Sequence, residues 1–363
     1  MRALIVGAGI AGLALARALQ ERGVTADVVE RAAEWPTAGA GLYLPGNAVR
    51  ALGELGLGPA VAARANSIER QRLLDHRGRR LADIDVRAFW EGVGGCIALE
   101  RTALHDVLRD ATADAPVRLG TEVTACEDVE APRVAFSDGS RGEYDVVVGA
   151  DGVHSTIRTV ALRGPPAVYV GQASWRFVAG GYPELAGWTV WLGRNRTFLA
   201  LALGGGSVYC YADLGTADPA NADRDDWRES FADFAAPVPN LLERARGAYF
   251  APIEEVDAPT WTSGRVVLVG DAAHASSPNM AQGAALAMED ALVLAQELTA
   301  DQPIERALAG YEERRRSRVT FVQEQTHRRD RTRGLPPLIR NLTLRLAGER
   351  IFRSNYEPLR AQP

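Results

Sequence analysis

The chain has 363 residues, with 41 basic and 46 acidic side chains, a formal net charge of −5 and 47% hydrophobic residues. At roughly 100 to 200 residues per domain this length carries two or three units around a sizeable core, which excludes a small disulfide-stapled fold. The mild acidity argues against nucleic acid as the main partner. Cys96, Cys126 and Cys210 are far apart, lack CxxC or Cys/His spacing, and read as buried thiols in a reducing compartment with no metal site.

The apolar stretch Ala3 to Leu19 is interrupted by three glycines and closed by Glu21 and Arg22, so it reads as strand, turn and helix and not as a secretory leader or a span. With Gly23 and a second run from Ala26 to Val29 it predicts a βαβ opening. Arg72 to Leu74 before the turn His76-Arg77-Gly78, and Thr197 to Leu203 before Gly204-Gly205-Gly206 and Val208 to Ala212, predict a separate antiparallel sheet. Tyr144 to Val148 and Arg265 to Val269 read as buried strands running into Gly149-Ala150-Asp151-Gly152 and Gly270-Asp271. A nucleotide-binding domain is therefore expected from distant segments. From Ile304 to Gly348 the spacing is helical, broken at Gly334-Leu335-Pro336-Pro337. Arg314, Arg315, Arg316 and Arg318, interleaved with Glu312 and Glu313, read as solvated helix faces in preference to a membrane-binding surface, as does the mildly amphipathic Leu335 to Leu346. No later stretch approaches the roughly 20 apolar residues of a span, and a cytoplasmic enzyme is the expectation.

Gly7-Ala8-Gly9-Ile10-Ala11-Gly12 fits GxGxxG after a strand and at the opening of a helix. There glycines permit a tight turn and close approach of a pyrophosphate to the helix N-terminus. Glu30, 18 residues after Gly12 at the end of the second strand, can accept both hydroxyls of an unphosphorylated adenosine ribose, as in NAD or FAD.

The run Gly149-Ala150-Asp151-Gly152-Val153-His154-Ser155-Thr156-Ile157-Arg158, with Gly270-Asp271-Ala272-Ala273-His274 through Pro278 to Gly283 and Glu289-Asp290-Ala291, resembles the paired DG and GD motifs of the single-component (group A) FAD-dependent aromatic hydroxylases. That family includes p-hydroxybenzoate, salicylate, 6-hydroxynicotinate and urate hydroxylases and zeaxanthin epoxidase. Glu100-Arg101-Thr102-Ala103-Leu104 is a further matching segment, and the likeness runs from Arg2 to about Leu298 with a matching helical tail.

The resemblance implies an α/β fold: a Rossmann-like FAD-binding domain of p-hydroxybenzoate hydroxylase type over 1–70, 96–165 and 255–300, an inserted antiparallel β-sheet substrate domain over 71–95 and 166–254, and C-terminal helices over 301–363. It implies FAD on Gly7, Gly9, Ile10, Ala11, Gly12, Glu30 and Arg31, with Gly41, Leu42 and Arg101 beside the cofactor. Asp271, expected at a strand end after Gly270, would hold ribityl hydroxyls. A helix starting near Gln282-Gly283, after Pro278, would turn its positive end to the flavin pyrimidine, with Ala284 beside it. Asp151, Gly152 and Arg158 would serve FAD and a transient nicotinamide, a structural salt bridge being the alternative for Arg158. His154 and His274 read as structural. Ala281 and Ala284 stand where relatives carry glycine.

Tyr43 occupies the apparent position of a base in the hydroxynicotinate enzymes, where it could orient or deprotonate a phenol or simply wall the site. Arg176 of the pair Trp175-Arg176, with Thr197, Leu199, Tyr209 and Tyr211 on one strand face, is expected at the substrate. Arg196, on the opposite face, is expected in solvent. Thr197 stands at a position resembling that of an Arg in urate hydroxylase, so the resemblance implies a neutral, fairly apolar substrate.

The implied activity is a monooxygenase using NADH or NADPH and O2 to hydroxylate or epoxidise an aromatic or olefinic small molecule through a flavin C4a-hydroperoxide. No second GxGxxG occurs, so the nicotinamide visits transiently. The alternatives are an FAD-dependent oxidase, halogenase or reductase, or a flavin-binding protein without turnover; no Gly-Trp-x-Trp-x-Ile halogenase signature is present. A monomer or homodimer is expected, with no nucleic-acid or membrane partner.

Overall fold

The computed structural model describes all residues except 38–39, 183, 222–226 and 246. Its six-stranded sheet runs Thr262–Ser263, Val266–Leu268, Val146–Gly149, Ala3–Val6, Ala26–Val29 and Val117–Arg118, parallel throughout except for the first pair. Strands covered on both faces need no alternation, which is why Ala3–Val6 and Val146–Gly149 are uninterrupted buried runs. Val6 is in register with Gly149, and Gly149 with Leu268. The C-terminal ends of three strands distant in sequence are thereby level, and the turns that follow them, at Gly7, Asp151 and Gly270, share one edge. Helices Ile10–Gln20 and Gly283–Leu298 pack against each other there.

A seven-stranded sheet runs Tyr249–Glu255, Val168–Ala179, Ser207–Gly215, Arg196–Gly204, Trp188–Leu192, Arg70–Asp75 and Arg80–Asp85. It is antiparallel except where Arg70–Asp75 lies parallel to Trp188–Leu192, a joint between segments that no hairpin connects. Period-two alternation gives the sheet two different faces. One buries Trp175, Phe177, Trp191 and Phe198 against Trp227, Phe231 and Phe234, with Trp175 stacked on Trp227 at 4.8 Å and 5°. The other face lines a cavity. A small sheet of Gly41–Leu44, Ile97–Glu100 and Asn66–Ser67 bridges the two large ones.

Helices Ile304–Thr332 and Pro337–Tyr356 form the tail, separated at the expected Gly/Pro break. Three arginine assignments need correction. Arg315 is fully buried and Arg318 nearly so, because helix Ile304–Thr332 packs on Gly283–Leu298 and meets its carboxylates, while Arg340, on the second tail helix, is buried against the carbonyls of Leu192 and Gly193. Arg196 is paired with Asp233 at 2.7 Å and also donates to the Ser230 carbonyl. Of the cysteines, Cys126 is only half-buried. Among the described residues no helix is long and apolar enough to cross a membrane.

Candidate functional site

A cavity of about 1660 Å³ runs from the C-terminal edge of the parallel sheet to the open face of the seven-stranded sheet. At its parallel-sheet end the three glycines of the first turn have three different physical reasons. Gly7 has φ +105°, and a Cβ there would lie 2.5 Å from the Ala150 carbonyl oxygen. At Gly12 a Cβ would fall 1.9 Å from the Gly7 oxygen, so the helix must be bare to seat on the strand. A Cβ on Gly9 would meet nothing within 4 Å. Gly9 precedes helix Ile10–Gln20, so the cavity has room for an anion at a helix N-terminus. Glu30 accepts from the Ala8 N–H at 2.8 Å and the Ala32 N–H at 2.9 Å, and lines the cavity beside Arg31.

The Asp motifs converge on the same end. Asp151 accepts from the Ser155 hydroxyl at 2.5 Å and from the Thr156 and Ile157 N–H groups, so it caps its own helix while lining the cavity; burial pushes its carboxyl upward. Arg158 is buried and donates to the carbonyls of Val153, Pro165 and Ala272 at 2.7–2.9 Å. Through these carbonyls it clamps the Asp151 turn to the Asp271 turn, and among the described residues no carboxylate lies within salt-bridge distance of it. Asp271 does not end its strand but opens a helical turn, Asp271–His274, after Gly270 at φ +59°, and its exposed carboxylate faces the cavity.

Gly9, Ile10, Gly41, Leu42, Arg101, Gly152, Pro278, Gly283 and Ala284 also line the cavity. Gly7 lines a smaller neighbouring hollow, and Ala11, Gly12, Gly270 and Gln282 lie behind the lining. The Gln282 side chain is buried and accepts from Asn47 Nδ2 at 2.9 Å, and the same amide donates to Glu289 at 3.0 Å. Gln282 therefore bears on the site through the start of helix Gly283–Leu298 and not by side-chain contact.

At the other end, cross-strand register sets residues in rows. One row reads Gln71, Trp188, Leu201, Tyr209 and Val178; the next reads Leu73, Val190, Leu199, Tyr211 and Arg176. Tyr43 enters from the small sheet, its ring 4.4 Å from that of Trp188 and its hydroxyl accepting from Gln71 Nε2 at 3.0 Å. Burial, with Cys96 adjacent, holds the Tyr43 phenol well above its usual range. A phenol so raised fits the orienting role, or a plain aromatic wall, better than that of a base. Burial also pushes the Tyr209 phenol up to about 12 and holds the Tyr211 phenol well above its usual range. Gly41 is bare because a Cβ would lie 2.4 Å from that of Tyr209, closing the joint between the two sheets.

Thr197 also lines this end, yet no cation is missing beside it. Arg333, from the end of the first tail helix, donates to the Thr197 hydroxyl at 3.3 Å and pairs with buried Asp213. The Arg333 charge is thus met by Asp213, while Arg176, in the neighbouring row, lies over the Tyr211 ring at 5.7 Å. Sequence reading also missed Trp35, His105 and Trp188 on the cavity wall. Trp188 had a legible signal, since alternation in Trp188–Leu192 places it opposite Leu201.

These features fit FAD: an open helix N-terminus for a diphosphate, carboxylates at Glu30 and Asp271 for sugar-type hydroxyls, and a wide cleft between. The comparisons agree. A family model described as "FAD binding domain" matches residues 1–326. The chain is 34% identical over 321 residues to aurachin C monooxygenase/isomerase of Stigmatella aurantiaca, covering 85% of this chain and 83% of that protein. It is 33% identical over 351 residues to 2-heptyl-3-hydroxy-4(1H)-quinolone synthase of Pseudomonas aeruginosa, covering 90% and 88%. The structure of Klebsiella pneumoniae HpxO complexed with FAD and uric acid superposes with a TM-score of 0.89 at 28% identity, covering 100% of this chain and 97% of that one. The chain belongs to the FAD binding domain family and, with these relatives, to its FAD-dependent aromatic monooxygenases.

Proposed function

We propose that this monooxygenase hydroxylates a planar, uncharged aromatic substrate with an apolar substituent, held on the open face of the seven-stranded sheet. The observation that carries this reading is the wall of Tyr43, Trp188, Leu199, Leu201, Tyr209 and Tyr211, with the nearby Arg333 charge matched by Asp213. The relative named for a 2-heptyl-3-hydroxy-4(1H)-quinolone supports a ring bearing an alkyl arm.

When bound, FAD carries electrons from NADH or NADPH to O2 and passes one oxygen atom to the substrate. The chain's own work is positional. The Gly7 to Gly12 turn and helix N-terminus hold the diphosphate, Glu30 and Arg31 the adenosine end, and Asp271 the ribityl hydroxyls. Gly41, Leu42, Arg101, Gly152, Pro278, Gly283 and Ala284, which line the cavity together, would surround the flavin. The positive end of helix Gly283–Leu298 favours negative charge where it faces the cavity. Tyr43, oriented by Gln71 and still protonated, donates to an oxygen on the substrate ring. Arg176, flanking Tyr211, and the apolar wall exclude water from the reacting face. The nicotinamide visits transiently, and the enzyme works as a cytoplasmic monomer or homodimer.

The test adds NADH or NADPH anaerobically to FAD-loaded protein and follows flavin absorbance with phenols, alkylquinolones and polycyclic aromatics. Substrate-accelerated bleaching, followed by incorporation of label from ¹⁸O₂ into product, is expected. Acceleration only by small carboxylates, or product oxygen drawn from water, would sink the proposal.

A further inference from the structure

We propose that the second tail helix, Pro337–Tyr356, docks this enzyme on an anionic lipid bilayer. The turn before it and its first half expose Leu335, Leu338, Ile339, Leu342 and Leu346, with Leu338 87% and Leu346 79% accessible. Positions 335, 339, 342 and 346, with 338 beside them, fall on one side of a helix of 3.6 residues per turn. They form a continuous aliphatic stripe. The opposite side is anchored to the protein. Arg340 is buried and donates to the carbonyls of Leu192 and Gly193, and a Cβ on Gly348 would lie 2.8 Å from that of Ala82. Both sides of this helix are apolar, so sequence periodicity flattens into the mildly amphipathic pattern that reads as a solvated face.

Charge selects the occupant. From 331 to 348 the chain has no acidic residue, and of its four arginines Arg333 is paired with Asp213 and Arg340 is buried against carbonyls, leaving Arg331 and Arg345 outward in a protein of net charge −5. Arg331, Arg345 and Arg350 are exposed, and the first acid after the segment, Glu349, is paired with Arg353 at 3.2 Å. An anionic bilayer takes the aliphatic side chains into its interface and the guanidinium groups onto its phosphates.

The stripe is also continuous with the cavity. Leu335, 40% exposed, lines it, as do the exposed Thr343 and half-buried Leu344 of the helix that follows. The cavity therefore opens beside the surface from which a lipid-dissolved aromatic would arrive. That consequence rests on the substrate reading above; the docking itself does not.

The experiment is co-sedimentation of the full-length, FAD-loaded protein with vesicles of phosphatidylcholine alone and of phosphatidylcholine with phosphatidylglycerol. Binding to the anionic vesicles, released by high salt, is expected. The triple variant Leu338→Ser, Leu342→Ser, Leu346→Ser should bind about tenfold less or weaker with unchanged flavin content, and Arg345→Glu with Arg350→Glu should lower binding about tenfold. Absence of wild-type binding to anionic vesicles, equal binding by the serine variant, or a wild-type dimer that the serine variant splits in light scattering would each overturn the proposal. Sedimentation needs no turnover, so failure of the substrate reading would appear only in the flavin bleaching.

Discussion

Arg315 and Asp290 form an ion pair from which solvent is wholly excluded, with Nε 2.8 Å from Oδ1 and both side chains at 0% exposure. The other Asp290 oxygen accepts from the Gly270 N–H at 2.9 Å and lies 2.7 Å from His274 Nε2. Arg315 also stands 3.0 Å from Glu289, whose carboxylate meets Arg318 and Asn47. A tail helix thus holds the backbone turn that carries Asp271.

Replacing Arg315 with Met leaves Asp290 buried without its guanidinium and Glu289 with Arg318 as its main partner. Removing one member of a buried pair costs about 3–5 kcal/mol. The variant should show that loss in chemical unfolding followed by tryptophan fluorescence, and should purify with less FAD. Wild-type stability and flavin content would refute the coupling.

Acid should unfold the protein through the same cluster. Burial alone would raise the Asp290 carboxyl, but His274 and Arg315 outweigh it and hold it at about 2 against an ordinary 3.8; Arg315 and Arg318 likewise lower Glu289 against its burial. A depressed folded-state pKa contributes stability that is fully present above the unfolded value and disappears as pH falls through the folded one. For Asp290 that contribution is about 2 kcal/mol, lost between roughly pH 4 and 2. Asp290→Asn should flatten the fall in stability over that window in denaturant titrations.

The glycine turn offers a contrast between two alanine substitutions. Gly9→Ala places a methyl in open cavity space, so the apoprotein should melt near wild type while FAD affinity falls about tenfold or more. Gly12→Ala drives a methyl into the Gly7 carbonyl and should yield little folded protein. Equal melting temperatures for the two variants would contradict this division.

Tyr43→Phe keeps the ring against Trp188 but deletes the hydroxyl that accepts from Gln71. Substrate-stimulated flavin reduction should slow by about ten- to a hundredfold, with basal NADH or NADPH oxidation unchanged. With its phenol held far above neutrality, Tyr43 should leave no limb in the wild-type pH–rate profile between about pH 6 and 9. A limb in that range that vanishes in the phenylalanine variant would restore the base role.

Ala281 sits at φ +50° and ψ +37°, a left-handed conformation rare for alanine, just before the helix whose start lines the cavity. Ala281→Gly removes a strain of about 1–2 kcal/mol and adds unfolded-state freedom of about 0.4–1 kcal/mol. A small net stabilisation, visible as a rise in melting temperature, is expected.

Sequence alone determined the α/β class, the glycine turn, the two Asp motifs and the strand face bearing Leu199, Tyr209 and Tyr211. Each is a local signal: a change of period, a glycine at a strand end, or alternation within one hairpin. The break between the tail helices was legible for the same reason, because proline and glycine act on their own backbone. What tertiary structure decided is whatever depends on a partner distant in the chain. Arg158 clamps two turns, Arg333 supplies the cation beside Thr197, and Arg315 is buried, because carbonyls and carboxylates from elsewhere converge on them. The Tyr43 proton is held by burial between two sheets. The outward stripe of Leu338, Leu342 and Leu346 belongs to the same class, since a helix with two apolar sides has no phase in its sequence, and only docking chooses which side is left exposed.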